Sequence, residues 1–175
     1  MAKGLGSGYV PISAVLAGRR VTERVKKSGG WKNSHTYQNH PVCCAVALKV
    51  MQTIERDRLL ENVRERGEQL LRELREGMRS IDIVSDVRGT GLFVGLDIDG
   101  PSASQPRLSA RIKDKAFANG LLVAGYSGTI DGIEGESIVL TPAYTVTESQ
   151  ISEIVRLLLK SIKEVVRDLQ EEQKE

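Results

Sequence analysis

The stretch MAKGLGSGYVPISAVL sets a single lysine, Lys3, immediately before three glycines at alternate positions, Gly4, Gly6 and Gly8. A lysine amine does useful chemistry only when the protein holds it still, and a chain terminus is ordinarily the least ordered part of a domain. Two phosphate-loop readings of GLGSGY fail on spacing. The dinucleotide fingerprint needs G-x-G-x-x-G after a strand, and Tyr9 stands where the third glycine should be. A Walker loop places its lysine after the glycines, whereas Lys3 precedes them.

A second group of chemically able side chains lies in WKNSHTYQNHP, with Thr36 near its middle. The segment is polar, aromatic and without period, which reads as a loop dense in donors and a candidate for binding. His35 and His40 flank Thr36 without an accompanying carboxylate or thiol cluster, so no metal site is expected. Cys43 and Cys44 are adjacent, which excludes CxxC spacing. Inside an apolar helical stretch they read as small core residues.

These residues need elements to position them. VPISAVLAG reads as a short extended run interrupted by Pro11, and a short helix follows near 21–27, closed by Gly29 and Gly30. Asn39 or His40 can cap the next helix, with Pro41 in its first turn and Val42, Ala45, Val46, Val50 and Ile54 along one side. The pattern restarts near Asp57. Leu60, Val63, Gly67, Leu70, Leu74 and Met78 then form the apolar stripe of a helix of about five to six turns.

From Ile81 the texture changes. IVSDVRG and GLFVGLDI read as an antiparallel pair, SARIKDKAFANG as a helix ended by Gly120, and LLVAG and ESIVLTP as two further strands. In TESQ, Thr147 and Gln150 fit a capping box for a last helix with Ile151, Ile154, Leu158, Ile162, Val165 and Leu169 facing a core. The tail EEQKE is expected to fray. The second part is thus an α+β unit of strands covered by helices. The first part has too little sequence to form a sheet of its own.

Composition leaves the partner open. With 25 basic and 23 acidic residues the net charge is +2, so no whole-chain field directs it to nucleic acid or membrane, and neither is expected as a partner. No apolar run approaches the roughly 20 residues that span a bilayer. The run from Val10 to Ala17 lacks the basic flank and cleavage pattern of a secretory signal, and a cytoplasmic location is expected.

Four segments in one order carry a resemblance: AKGLGSGYVPISAVL, SHTYQNHPVCCAVALKVMQTIERDRLLENVRERGEQLLREL, DVRGTGLFVGLDI and ESIVLTPAYTVTESQISEIV. On these residues the chain resembles the class III aminotransferases, pyridoxal-phosphate enzymes that include ω-amino acid, ornithine and 4-aminobutyrate transaminases. The resemblance implies an α/β fold, a portion of the fold-type I transferase architecture. Residues 1–55 would be a remnant of the cofactor-binding large domain, and 56–175 the small domain with its long lead-in helix, a short antiparallel sheet and covering helices.

In that family the lysine of AKG carries pyridoxal 5'-phosphate as an internal aldimine, which makes Lys3 the catalytic and cofactor-binding position here. The chemistry suits the residue: a deprotonated amine is a good carbonyl nucleophile, and once freed it can move a proton as acid and base. Adjacent glycines let backbone and ring approach closely. The threonine of HTY binds the cofactor phosphate across a dimer interface, which assigns Thr36 as cofactor-binding. A homodimer is therefore implied, with a small-molecule amino donor and a 2-oxo acid acceptor.

Several family features have no counterpart here. The glycine-serine phosphate loop, the aromatic stacked on the ring and the aspartate paired with the pyridine nitrogen lie upstream of the lysine in the family. The chain is accordingly expected to correspond to the C-terminal portion of a longer enzyme, with weak or no turnover alone. Val10, Ile12, Val15 and Leu16 would then be left as an exposed patch. Some members also carry an arginine before the Pro-containing motif to grip a carboxylate; here Ile138, Val139 and Leu140 stand there. That favours an amine or ω-amino acid over a dicarboxylate, with Arg88 expected in a structural role. The alternative function is a non-catalytic remnant that folds and self-associates through the 40–79 helices.

Overall fold

The computed structural model describes residues 1–99 and 107–172. The chain divides into two compact units, Met1–Arg58 and Leu59–Glu175.

The first unit holds a single 3-10 turn at Lys3–Gly6, helix α1 (Arg19–Lys27) and helix α2 (Pro41–Arg56). The Lys3 loop is closed at its base, where the Ala14 N–H donates to the Met1 carbonyl at 2.8 Å. Gly6 is buried in the loop, and a Cβ there would stand 3.0 Å from Ile12 Cγ2. Against this turn packs α2, whose Ala47 is the one buried residue of the helix. Pro41 occupies its first turn and His40 its N-cap, as the sequence suggests, but no side chain caps it.

The run VPISAVLAG carries no helix and enters no sheet among the described residues, and one expectation fails in this unit. Cys43 is only half-buried and Cys44 is exposed, because the apolar stripe of α2 finds no second layer to pack on within its unit. Of the anticipated bare patch, Val15 and Leu16 are 90% and 77% exposed, whereas Val10 and Ile12 are half-buried over Gly6.

Arg56 grips Asp57 through two hydrogen bonds of 2.6 and 2.7 Å, and Arg58 turns to φ 52. There the helical phase restarts. Helix α3 (Leu59–Met78) opens the second unit, followed by β1 (Val84–Thr90), β2 (Phe93–Ile98), α4 (Leu108–Ala118), β3 (Ala124–Ser127), β4 (Glu136–Leu140) and α5 (Glu148–Glu172). The four strands form one sheet in the order β1-β2-β4-β3, with every neighbouring pair antiparallel.

Alternation decides which face is covered. Val94, Leu96 and Ile98 of β2 are buried and stand beside Leu140, Ile138 and Glu136 of β4 in register. Helix α3 packs on β1 and β2, α4 on β3 and β4, and α5 against both helices. Leu70, Leu74, Leu108, Ile112, Leu158 and Ile162 fill the layer between them, all fully buried. Each such side chain contributes about 1.5–3 kcal/mol relative to exposure. Every described core hydrophobic except Ala47 lies in this second unit, so it closes a core of its own.

The stripe of α3 is shorter than its sequence pattern, since Leu60 is exposed and Val63 only partly covered. Strand β3 begins at Ala124, three residues later than LLVAG suggests. Gly120 takes φ 89 and passes the chain from α4 into Leu121–Val123 before pairing starts. The last helix runs through Glu171 and Glu172, and the rest of EEQKE lies outside the described residues.

Candidate active site

Lys3 is the first residue of the 3-10 turn and takes φ 50, in the left-handed region that L-residues rarely adopt. Ser7 and Gly8 follow at φ 47 and 78, so the chain curls back on itself around the lysine. A Cβ at Gly4 or Gly8 would meet no atom within 4 Å, which leaves open space beside the backbone. The Lys3 side chain is exposed and makes no hydrogen bond or ion pair to a described residue. A non-glycine residue held in this region is strained, and such strain clusters at functional positions.

Thr36 opens the turn that leads into α2. The Gln38 N–H donates to His35 at 2.9 Å and the His40 N–H to Tyr37 at 3.2 Å, with Asn39 at φ 57. The Thr36 side chain is exposed and its hydroxyl bonds to no described residue. His40 lies against the Tyr37 ring at 6.0 Å between centroids, and its buried Nδ1 has no partner among the described residues. No hydrogen bond joins Lys3 to Thr36. Among the described residues no cluster of metal-binding side chains exists.

The donor set fits a phosphorylated aldehyde in two respects. Lys3 offers a primary amine for its carbonyl carbon, and Thr36 offers a hydroxyl beside turn N–H groups for its phosphate. It lacks a third group. The first unit holds three carboxylates, Glu23, Glu55 and Asp57. Of these Glu23 pairs with Arg19 at 2.7 Å on α1, Asp57 pairs with Arg56 and Glu55 stands exposed on α2, and none belongs to the Lys3 loop or the Thr36 turn.

In the second unit the side chains that sequence reasoning singled out are structural. Arg88 bridges Asp86 at 2.8 Å and Asp97 at 2.9 Å on neighbouring strands, and these hydrogen bonds raise its pKa further. Ile138 and Leu140 are buried, and a groove of about 430 Å³ beside them is lined by Leu122, Ala124, Val139, Thr141 and Pro142 among others, with no charged side chain. Three polar anchors left no sequence signal. Asn62 donates to the carbonyls of Tyr144 and Val146 at 2.8 and 3.0 Å, and Gln69 donates to the Glu148 carbonyl at 3.1 Å. Buried Glu136 accepts from the Ser109 N–H and hydroxyl, both at 2.7 Å, and so caps α4 from the sheet.

The family description of the class-III aminotransferases matches residues 1–162 of this chain. The chain belongs to the class-III aminotransferases. An uncharacterised aminotransferase of Schizosaccharomyces pombe is 38% identical over 97% of this chain and 38% of its own length. Among solved structures, a Bacillus anthracis aminotransferase superposes with a TM-score of 0.85 at 26% identity, over 94% of this chain and 38% of that one. An amine transaminase from an uncultivated Pseudomonas species, solved in its PLP-bound form, gives 0.81 at 30% identity, over 94% of this chain and 37% of that one. This class-III chain therefore spans well under half the length of the relatives it matches. Among its described residues no helix is long and apolar enough to cross a membrane.

Proposed function

We propose that this chain supplies the reactive lysine and a phosphate-binding hydroxyl to a pyridoxal-phosphate-dependent transaminase, which moves an amino group from an amine or ω-amino acid to a 2-oxo acid. The observation that carries the reading is the Lys3 turn: an unpartnered amine on a strained, glycine-flanked loop, in a chain of class-III sequence. Residues 1–55 belong on this reading to the cofactor-binding domain and 56–175 to the small domain. The working unit is a cytoplasmic homodimer, in which Thr36 of one subunit serves the cofactor of the other.

Pyridoxal phosphate, when bound, supplies the electron sink that lets a bond to the substrate α-carbon break. The residues of this chain do the rest. Lys3 Nζ would hold the cofactor through its aldehyde carbon and, when free, would accept and return a proton at the substrate α-carbon. Thr36 Oγ1 would donate to a phosphate oxygen and help to hold the cofactor in place. Ile138, Val139 and Leu140, standing where some family members carry a carboxylate-gripping arginine, support a donor without a second carboxylate.

Alone, the chain is expected to turn over slowly, because the three carboxylates of its first unit leave the ring nitrogen unsupported. The self-closed core of the second unit favours one further reading, a non-catalytic module that folds and self-associates. The test is amino transfer from an alkylamine or ω-amino acid to a 2-oxo acid, with the cofactor added and the product followed by mass spectrometry. Slow transfer abolished by Lys3→Ala supports the proposal, and transfer that survives Lys3→Ala sinks it. No transfer by a chain that is folded and self-associates leaves the non-catalytic module.

A further inference from the structure

The two units carry opposite charge, which the whole-chain value conceals. The first, 58 residues long, holds ten Lys and Arg against three Asp and Glu, a formal +7. The rest holds fifteen against twenty, a formal −5, and together they return the +2 of the whole chain. The first unit thus carries a positive local field that the whole-chain charge does not show.

Half of the basic residues of the first unit are on α1. At 3.6 residues per turn, Arg19, Arg20, Arg24, Lys26 and Lys27 fall on one arc of about 160°, and Val21 and Val25 lie opposite. All five are exposed, while Val25 is half-buried, so the cationic arc faces solvent. Glu23 is the single carboxylate on the helix, and it pairs with Arg19 at 2.7 Å. Arg20, Arg24, Lys26 and Lys27 form no ion pair with a described residue. Like charges at i,i+3 and i,i+4, here Arg24 with Lys27 and Arg20 with Arg24, destabilise a helix by about 0.2–0.5 kcal/mol each. Glu23 lies on the same arc, three or four residues from Arg19, Arg20, Lys26 and Lys27, which offsets this repulsion and leaves a formal +4 on a helix with no buried residue.

We propose that this arc of α1 is a capture surface that draws small phosphate and carboxylate anions to the unit holding Lys3 and Thr36. The inference rests on the function proposed above, whose cofactor and 2-oxo acid are both anionic. A positive field needs no contact: where a cleft focuses it, anion concentration and on-rates rise by about 10- to 1000-fold, and an exposed arc acts at the lower end of that range. It acts over a Debye length of about 10 Å at 0.1 M salt and about 30 Å at 0.01 M.

The chain contains its own control, since five lysines (3, 26, 27, 32 and 49) lie in the first unit and five (113, 115, 160, 163 and 174) in the second. The full chain is mixed with pyridoxal phosphate or with pyridoxal, quenched at intervals with borohydride, and digested for mass mapping. In each adduct a lysine amine adds to the aldehyde carbon, water leaves, and hydride from borohydride reduces the C=N bond. Dividing each lysine's phosphate rate by its pyridoxal rate removes differences in intrinsic reactivity.

At about 0.01 M salt that quotient is expected to be roughly tenfold larger across the first unit than across the second, and to fall toward equality at about 1 M, where the Debye length is about 3 Å. Charge reversal of Arg20 and Arg24 to Glu, which keeps all five reporter lysines of the first unit, lowers that unit's quotient toward that of the second, and so in part does the milder pair Arg20→Gln and Arg24→Gln. Reversal of Arg156 and Arg167 on α5, which keeps the second unit's reporters, leaves the first unit's quotient unchanged. Equal quotients at low salt, or an excess that survives reversal on α1, overturn the capture surface. Failure of the two readings differs: dominant, salt-independent labelling of Lys3 keeps the cofactor reading and removes capture, while a salt-dependent excess shared evenly by all five lysines keeps capture and removes Lys3.

Discussion

Gly67 of α3 lies so close to Gly91, at the turn between β1 and β2, that a Cβ on Gly67 would stand 2.6 Å from Gly91 Cα. The obstacle is backbone and cannot rotate away. Gly91 in turn sits at φ 53, and its own added Cβ would meet Val63 Cγ1 at 2.8 Å. The pair sets how near the long helix approaches the first hairpin.

Gly67→Ala is therefore expected to lower stability by about 2 kcal/mol, within the range for overpacking, or roughly 4–8 °C in Tm. Gly95→Ala, where nothing lies within 4 Å of the added Cβ, is the matched control. Thermal melts followed by circular dichroism decide it, and equal Tm values for the two variants would refute the close approach.

The capping box of α5 gives a second expectation. The Thr147 N–H donates to Gln150 Oε1 at 2.9 Å and the Gln150 N–H to Thr147 Oγ1 at 3.3 Å. Thr147→Ala leaves one helix N–H without its side-chain partner and should cost about 1 kcal/mol, whereas Thr147→Ser should restore most of it. Urea titration would show the loss as a lower midpoint with unchanged slope.

A third concerns pH. Lys115 holds Asp168 at 3.0 Å and Arg111 holds Glu172 through two hydrogen bonds of 2.7 and 2.9 Å, joining α4 to α5. These cations lower both carboxyl pKa values from 3.8 and 4.5. A depressed folded value means stabilisation fully present above the unfolded value and lost as pH falls through the folded one. Melting temperature should thus decline below about pH 4.5. Lys115→Met with Arg111→Met should flatten that decline, and an identical acid slope in the double variant would show that the two clasps do not contribute.

Much of this was legible in the chain itself. The capping box, the antiparallel hairpin and the restart of the helical pattern between α2 and α3 followed from residue spacing, because short-range hydrogen bonds and helical period are local. What the sequence did not disclose depends on distant partners. Glu136 reads as an ordinary strand carboxylate until Ser109 is seen against it, and Asn62 as a polar helix residue until Tyr144 and Val146 arrive. The cysteines misled for the same reason: an apolar helix promises burial, but burial needs a second surface. Lys3 and Thr36 drew notice by type and neighbours, and the strain at Lys3 came only with the backbone.

Thr36 offers a fourth expectation. Thr36→Val keeps the shape and removes the hydroxyl, so affinity for pyridoxal phosphate should drop about five- to tenfold, a loss of about 1–1.5 kcal/mol. Affinity for pyridoxal, which has no phosphate, should not change. Equal losses for both ligands would mean that Thr36 does not contact the phosphate.

The central claim is that Lys3 is the cofactor's covalent anchor, and the most direct measurement is an equilibrium titration with pyridoxal phosphate, reduced with borohydride and mapped by peptide mass, with Lys3→Ala alongside. The account predicts one adduct per chain on Lys3 and none in its place in the variant. Adducts spread over many lysines, or unchanged in amount when Lys3 is removed, would contradict it.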